Sequence, residues 1–98
     1  MELRYPIGTY QPAAFSNELL AERLADIRFL PGLLEQALEN LDEAQLNTPY
    51  REGGWTLNQV VHHICDSHMN ALCRLKLTLT EEHPTVRPYD EVSWAKTH

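Results

Sequence analysis

Apolar residues recur in the first half of the chain at Leu20, Leu24, Ile27, Leu30, Leu34, Leu38 and Leu41. The steps are four, three, three, four, four and three, which trace one stripe on one helix. Ser16 or Asn17 can cap its start, and Glu18 and Glu22 favour its first turns. The stripe keeps its phase across Pro31, so the pattern predicts one helix, kinked at that proline, over about 16–41. A second helix is predicted over 56–80, roughly 36 Å long. Thr56 and Gln59 make the Thr-x-x-Gln pattern of a capping box just before an apolar run. Nothing interrupts that run until Glu81-Glu82-His83-Pro84.

The remaining segments read as connections. Residues 1–15 are an extended arm punctuated by Pro6, Gly8 and Pro12, with Tyr5, Ile7 and Tyr10 available to dock on a core. Leu41–Leu46 suits a short extra turn, and Thr48-Pro49-Tyr50-Arg51-Glu52-Gly53-Gly54 is turn chemistry. Residues 81–98 are a loop with two prolines and a short helix through Trp94, capped by Asp90. The fold expected is all-α, a single domain over 1–98. Two long helices alone cannot cover their own apolar stripes, and a bundle of four is the common remedy. The chain is therefore expected to be half of a four-helix bundle, completed by a second copy in a homodimer or by the rest of a longer protein.

Charge and composition exclude some functions. The chain of 98 residues has 14 acidic and 8 basic residues, a formal charge of −6, which repels nucleic-acid phosphates. No apolar run reaches the roughly 18 residues that span a bilayer, and Met1-Glu2-Leu3-Arg4-Tyr5-Pro6 lacks a signal-peptide core. A cytoplasmic protein with no membrane and no nucleic-acid partner is expected. Cys65 and Cys73 are eight residues apart on one helix, about 12 Å along its axis and beyond disulfide reach. Reduced thiols fit the same compartment.

Candidate chemistry gathers on the second helix, where His62, His63, Cys65, Asp66, Ser67 and His68 lie within seven residues. At about 100° per residue, Leu57, Val60, Val61, Ile64, His68, Ala71, Leu72, Leu75 and Leu79 share one apolar arc. His68 falls near its middle and is expected to be buried. His63 lies outside the arc's edge beside Ser67, Asn70 and Arg74, and His62 points into solvent. Periodicity does not choose between His63 and His68 as a metal ligand. Cys65 with His68 could also chelate zinc, or Cys65 could be a small buried thiol. Asp66 could orient His63 or assist a metal-bound water, or be a solvated acid. Ser67 beside His63 lacks the third group and oxyanion hole of a nucleophilic site.

Several segments in order carry a family resemblance: Tyr5-Pro6-Ile7-Gly8, Thr48-Pro49-Tyr50-Arg51-Glu52-Gly53-Gly54-Trp55-Thr56, Gln59-Val60-Val61-His62-His63 and Asp66-Ser67-His68-Met69-Asn70. Arg74-Leu75-Lys76-Leu77, Leu79-Thr80-Glu81-Glu82, Arg87-Pro88-Tyr89-Asp90-Glu91 and Trp94 complete the series. The chain resembles the DinB-like superfamily, and more closely its YfiT branch of metal-dependent hydrolases and bacillithiol transferases. The resemblance implies a four-helix bundle with zinc or nickel held by three histidines. The first ligand falls on His63, with Asp66 and Asn70 as flanking catalytic groups. The other two belong to a His-x-x-x-His pair that the chain lacks, and His98 matches neither. The implied activity, once the missing ligands are supplied, is hydrolysis or transfer of a low-molecular-weight thiol to an electrophile. The competing expectations are a non-catalytic, self-associating helical module and a metal or redox sensor built on Cys65 and His68.

Overall fold

The computed structural model describes residues 2–97. Among them the chain is all-α, with helices α1 (Asn17–Leu38), α2 (Glu43–Leu46), α3 (Leu57–Thr80) and α4 (Glu91–Trp94). Its only β-type pairing there is an isolated bridge between Pro49 and Thr56. The chain divides into two compact units, Met1–Glu43 and Ala44–His98.

In the first unit, α1 starts where Ser16 accepts a hydrogen bond from the Leu19 amide at 3.0 Å. The helix runs without a break through Pro31. It ends at Leu38, short of the last stripe position, because Leu41 already belongs to a turn in which its amide donates to the Leu38 carbonyl. The arm is less extended than its prolines suggest. Successive turns, Tyr5 amide to Glu2 carbonyl and Gly8 amide to Tyr5 carbonyl, fold residues 2–8. Gly8 closes the second with φ of 85°, a left-handed value that a side chain resists. Tyr5, Ile7 and Tyr10, offered above as docking residues, are all exposed.

In the second unit, the capping box at the start of α3 is complete. Thr56 Oγ1 accepts from the Gln59 amide at 3.2 Å, and Gln59 Oε1 accepts from the Thr56 amide at 3.0 Å. The helix stops at Thr80, and His83 turns left-handed at φ 49° just before Pro84. The chain then returns along α3 and α4 packs on it. Gln59 joins the two, its Nε2 donating to the Ala95 carbonyl at 3.1 Å. Ala95 is the one buried residue among those described.

Asp90 caps α4 with both carboxylate oxygens, which accept from the Ser93 amide at 3.1 Å and the Ser93 hydroxyl at 2.7 Å. The hydroxyl first, then the amide, holds this carboxyl below the ordinary carboxylate range. A carboxyl lowered by folding stabilises the fold above its unfolded value, and the contribution is lost as pH falls through the lower folded value. The α4 cap should therefore loosen on acidification below about pH 4. Ser93 and Trp94 amide shifts followed by NMR report this. The acid transition should vanish in Asp90→Asn, which still caps the helix.

Candidate functional site

His63 lies on the second turn of α3, and its position depends on how two flanking segments are delivered to it. The first is the loop before α3. The Tyr50 amide donates to the Trp55 carbonyl at 3.0 Å and the Leu57 amide to the Thr48 carbonyl at 3.2 Å, pinching residues 48–57 into a closed loop. Gly53 turns it with φ of 69°. At Gly54 a Cβ would lie 2.6 Å from Arg51 Cγ and 3.1 Å from the Tyr50 ring, so any side chain there would have to displace Arg51. This loop places Trp55 with its ring centre 5.0 Å from that of His63, tilted by 59°.

The second segment is the return after α3. Arg74 Nη2 donates to the Arg87 carbonyl at 3.3 Å, tying the 84–90 stretch to the helix. Tyr89 follows two residues later. Its hydroxyl lies 3.4 Å from His63 Nδ1, and its ring stacks on the imidazole at 6.5 Å. Trp94 backs Tyr89 at 4.8 Å. His63 is thus half-buried, with one aromatic side chain from each of the two segments beside it. With Nδ1 facing Tyr89, Nε2 is the nitrogen left for a further ligand.

The other sequence candidates are distributed differently. His62 and Cys65 are exposed. His68, expected at the centre of the apolar arc and buried, is exposed. Its neighbours Leu72, Leu75 and Leu79 stand 53%, 62% and 84% exposed, so that part of α3 is uncovered. In this unit the covering segment instead meets α3 on the His63 side. Asp66 and Asn70 are half-buried one turn apart, and Asn70 Nδ2 donates to the Asp66 carbonyl at 2.8 Å. The group at His63 Nδ1 is Tyr89 rather than Asp66. Sequence reasoning assigned no role to Trp55, Tyr89, Trp94 or Arg74. The available signal was an aromatic pair flanking an Asp90 cap next to a proline.

Among the described residues no three His, Cys, Asp or Glu side chains are placed to hold a metal ion. A protein-bound metal needs about three such donors, so these residues do not fit one by themselves. They offer a single oriented imidazole with aromatic walls, and the Cys65–His68 pair gains no third donor.

An all-α chain with a half-buried histidine in its long helix and an aromatic return loop against it defines a helical, histidine-centred class. The family model for the DinB superfamily matches residues 26–97. The chain belongs to the DinB superfamily. A Geobacillus thermodenitrificans protein named "Putative metal-dependent hydrolase" is 54% identical over 96 residues, covering 97% of this chain and 54% of the relative. "Putative metal-dependent hydrolase YfiT" of Bacillus subtilis is 50% identical over 97 residues, covering 98% of this chain and 54% of its own. The solved structure of YfiT from Bacillus subtilis, described as a probable metal-dependent hydrolase with an unusual four-helix bundle topology, matches with a TM-score of 0.91. It is 49% identical and covers 98% of this chain and 55% of that one. The chain spans about half the length of the curated relatives it matches.

Proposed function

We propose that this chain contributes to a metal-dependent hydrolase of the DinB and YfiT kind, with His63 as one ligand of the metal. The observation that carries the reading is the position of His63, half-buried beside Trp55 and Tyr89 with its Nδ1 engaged. Relatives about half identical to this chain are named for metal-dependent hydrolysis, which supports a divalent metal. Zinc or nickel is our choice for that metal, since imidazole suits both. The remaining donors come from outside the described residues, from a second copy of the chain or from a further segment of a longer one. A metal so held supplies Lewis acidity.

The residues of this chain have separable duties. Tyr89 orients the imidazole and is backed by Trp94, Trp55 flanks the imidazole ring, and Asp66 and Asn70 line the same stretch of α3. A low-molecular-weight thiol attacking an electrophile is the alternative chemistry at such a centre. No described helix is long and apolar enough to cross a membrane. We place the protein in the cytoplasm, without nucleic-acid partners.

The test is metal content and chelator sensitivity of the purified protein, with its mass by light scattering. Stoichiometric zinc or nickel, and ester or amide hydrolysis abolished by EDTA and restored by the metal, support the reading. A native protein that carries no metal and gains no activity from zinc or nickel overturns it. A dimer that forms without metal and without activity favours the second reading, a self-associating helical module. The exposed Leu72, Leu75 and Leu79 motivate that reading.

Tyr89→Phe gives a finer check. Tyr89 Oη and His63 Nδ1 lie 3.4 Å apart, and which of them donates follows the imidazole tautomer. Ligation through Nε2 requires the proton on Nδ1, donating to the Tyr89 oxygen. Removing that oxygen should lower metal affinity about tenfold, the lower end for such partners, given the long 3.4 Å contact. In the metal-free variant, long-range proton–nitrogen NMR should show the His63 ring divided between tautomers.

A further inference from the structure

Beside Tyr89, on the side of α4, lies a cavity of about 310 Å³ lined by Asn70, Arg87, Pro88, Tyr89, Asp90 and Trp94. That volume suits a small molecule. Its walls are of two kinds. Pro88, Tyr89 and Trp94 are apolar surfaces, the last two rings 4.8 Å apart. Asn70, Arg87 and Asp90 are polar, but their hydrogen-bonding capacity is not equally available. Asn70 Nδ2 is committed to the Asp66 carbonyl. Both Asp90 oxygens are committed to Ser93. Arg87 is held through its backbone carbonyl by Arg74, while its guanidinium makes no ion pair among the described residues. Asp90 keeps its charge, but both its oxygens face Ser93, whereas Arg87 makes no ion pair among the described residues and is the cavity's one cationic residue, the group to which an anion would be drawn.

We infer that this cavity is a recognition pocket for a small organic carboxylate with an apolar body. Arg87 takes the carboxylate as a two-pronged donor, and Pro88, Tyr89 and Trp94 take the body. Tyr89 belongs to the pocket wall and also touches His63, so a ligand held there lies one ring away from the proposed metal ligand. That the carboxylate is part of a substrate rests on the hydrolase reading; the binding itself does not.

The experiment is therefore done in EDTA on the metal-free chain, where failure of the metal reading has no influence. Phenylacetate, its uncharged analogue phenylacetamide and the cation benzylamine are titrated while the Trp94 indole and Tyr89 ring signals are followed by NMR. Phenylacetate should saturate with a Kd on the order of 1 mM, the range for a ligand of that size. Phenylacetamide should bind about tenfold more weakly, and benzylamine should give no saturable shift. Arg87→Gln should bring phenylacetate down to the level of the amide, with Arg87→Lys between the two. Arg87 contributes only its carbonyl to the fold, so these variants keep the unperturbed Tyr89 and Trp94 signals. Equal affinity for acid and amide, an unchanged affinity in Arg87→Gln, or shifts confined to residues away from the cavity each overturn the proposal.

Discussion

Replacing His63 by alanine is expected to remove the metal from the assembled protein while leaving α3 helical. Four-ligand zinc sites bind with about 10–16 kcal/mol, so one ligand contributes roughly 3 kcal/mol. Its loss corresponds to about a hundred-fold in affinity. Hydrolysis should fall with metal occupancy. The structural effect is smaller. The imidazole meets the Trp55 ring at 5.0 Å and the Tyr89 ring at 6.5 Å between centres, contacts worth about 1 kcal/mol each. The exposed His68 serves as the control, because His68→Ala touches neither aromatic wall. Metal titration monitored by calorimetry, with circular dichroism on the same samples, separates the two effects. If His68→Ala costs the affinity and His63→Ala does not, the ligand has been assigned to the wrong histidine.

That choice between two histidines shows where sequence reading reached its limit. A helical wheel ranks residues by distance from the centre of the apolar arc, and it put His68 there. The ranking assumes that the arc's centre is what neighbouring structure covers. In the Ala44–His98 unit the cover is instead the return segment, which brings Tyr89 to the His63 flank from 26 residues away. Periodicity contains no information about such a contact. His63 was singled out by resemblance, whereas Tyr89 and Trp55 had a place in the resembling motifs but no role.

Helix ends were more legible because their chemistry is local. Ser16, Thr56 and Asp90 each accept from the amide three residues on, a bond that sequence spacing alone predicts. The end of α1 was not legible from the stripe, since an apolar residue is equally at home in the turn that follows. Leu41 keeps the helical phase and is half-buried, yet lies past the last helical residue, Leu38. The arm erred in the other direction. Its prolines and glycine read as extended chain, but two short-range backbone bonds fold residues 2–8 into turns.

Gln59→Ala is expected to produce the largest loss of stability from one side chain in the second unit, because Gln59 ends two structures at once. Its Oε1 closes the capping box on the Thr56 amide at 3.0 Å, and its Nε2 holds the Ala95 carbonyl at 3.1 Å. The lost cap interaction costs about 1 kcal/mol. The Ala95 carbonyl, on the one buried residue among those described, loses its side-chain donor for about 1 kcal/mol more. Together these lower the melting temperature by about 10 °C in a domain of this size. Gln59→Glu discriminates between the two parts. It keeps an acceptor for Thr56 and favours the helix N-terminus, but it removes the donor to Ala95. It should therefore preserve α3 helicity by circular dichroism while loosening α4. Because Tyr89 and Trp94 belong to the segment that Gln59 anchors, the Tyr89–His63 contact should weaken in both variants, visible as changed His63 ring shifts. A Gln59→Glu protein with wild-type His63 and Trp94 signals would show that Arg74 alone holds the return segment in place, and that the pairing with Ala95 follows from docking rather than causing it.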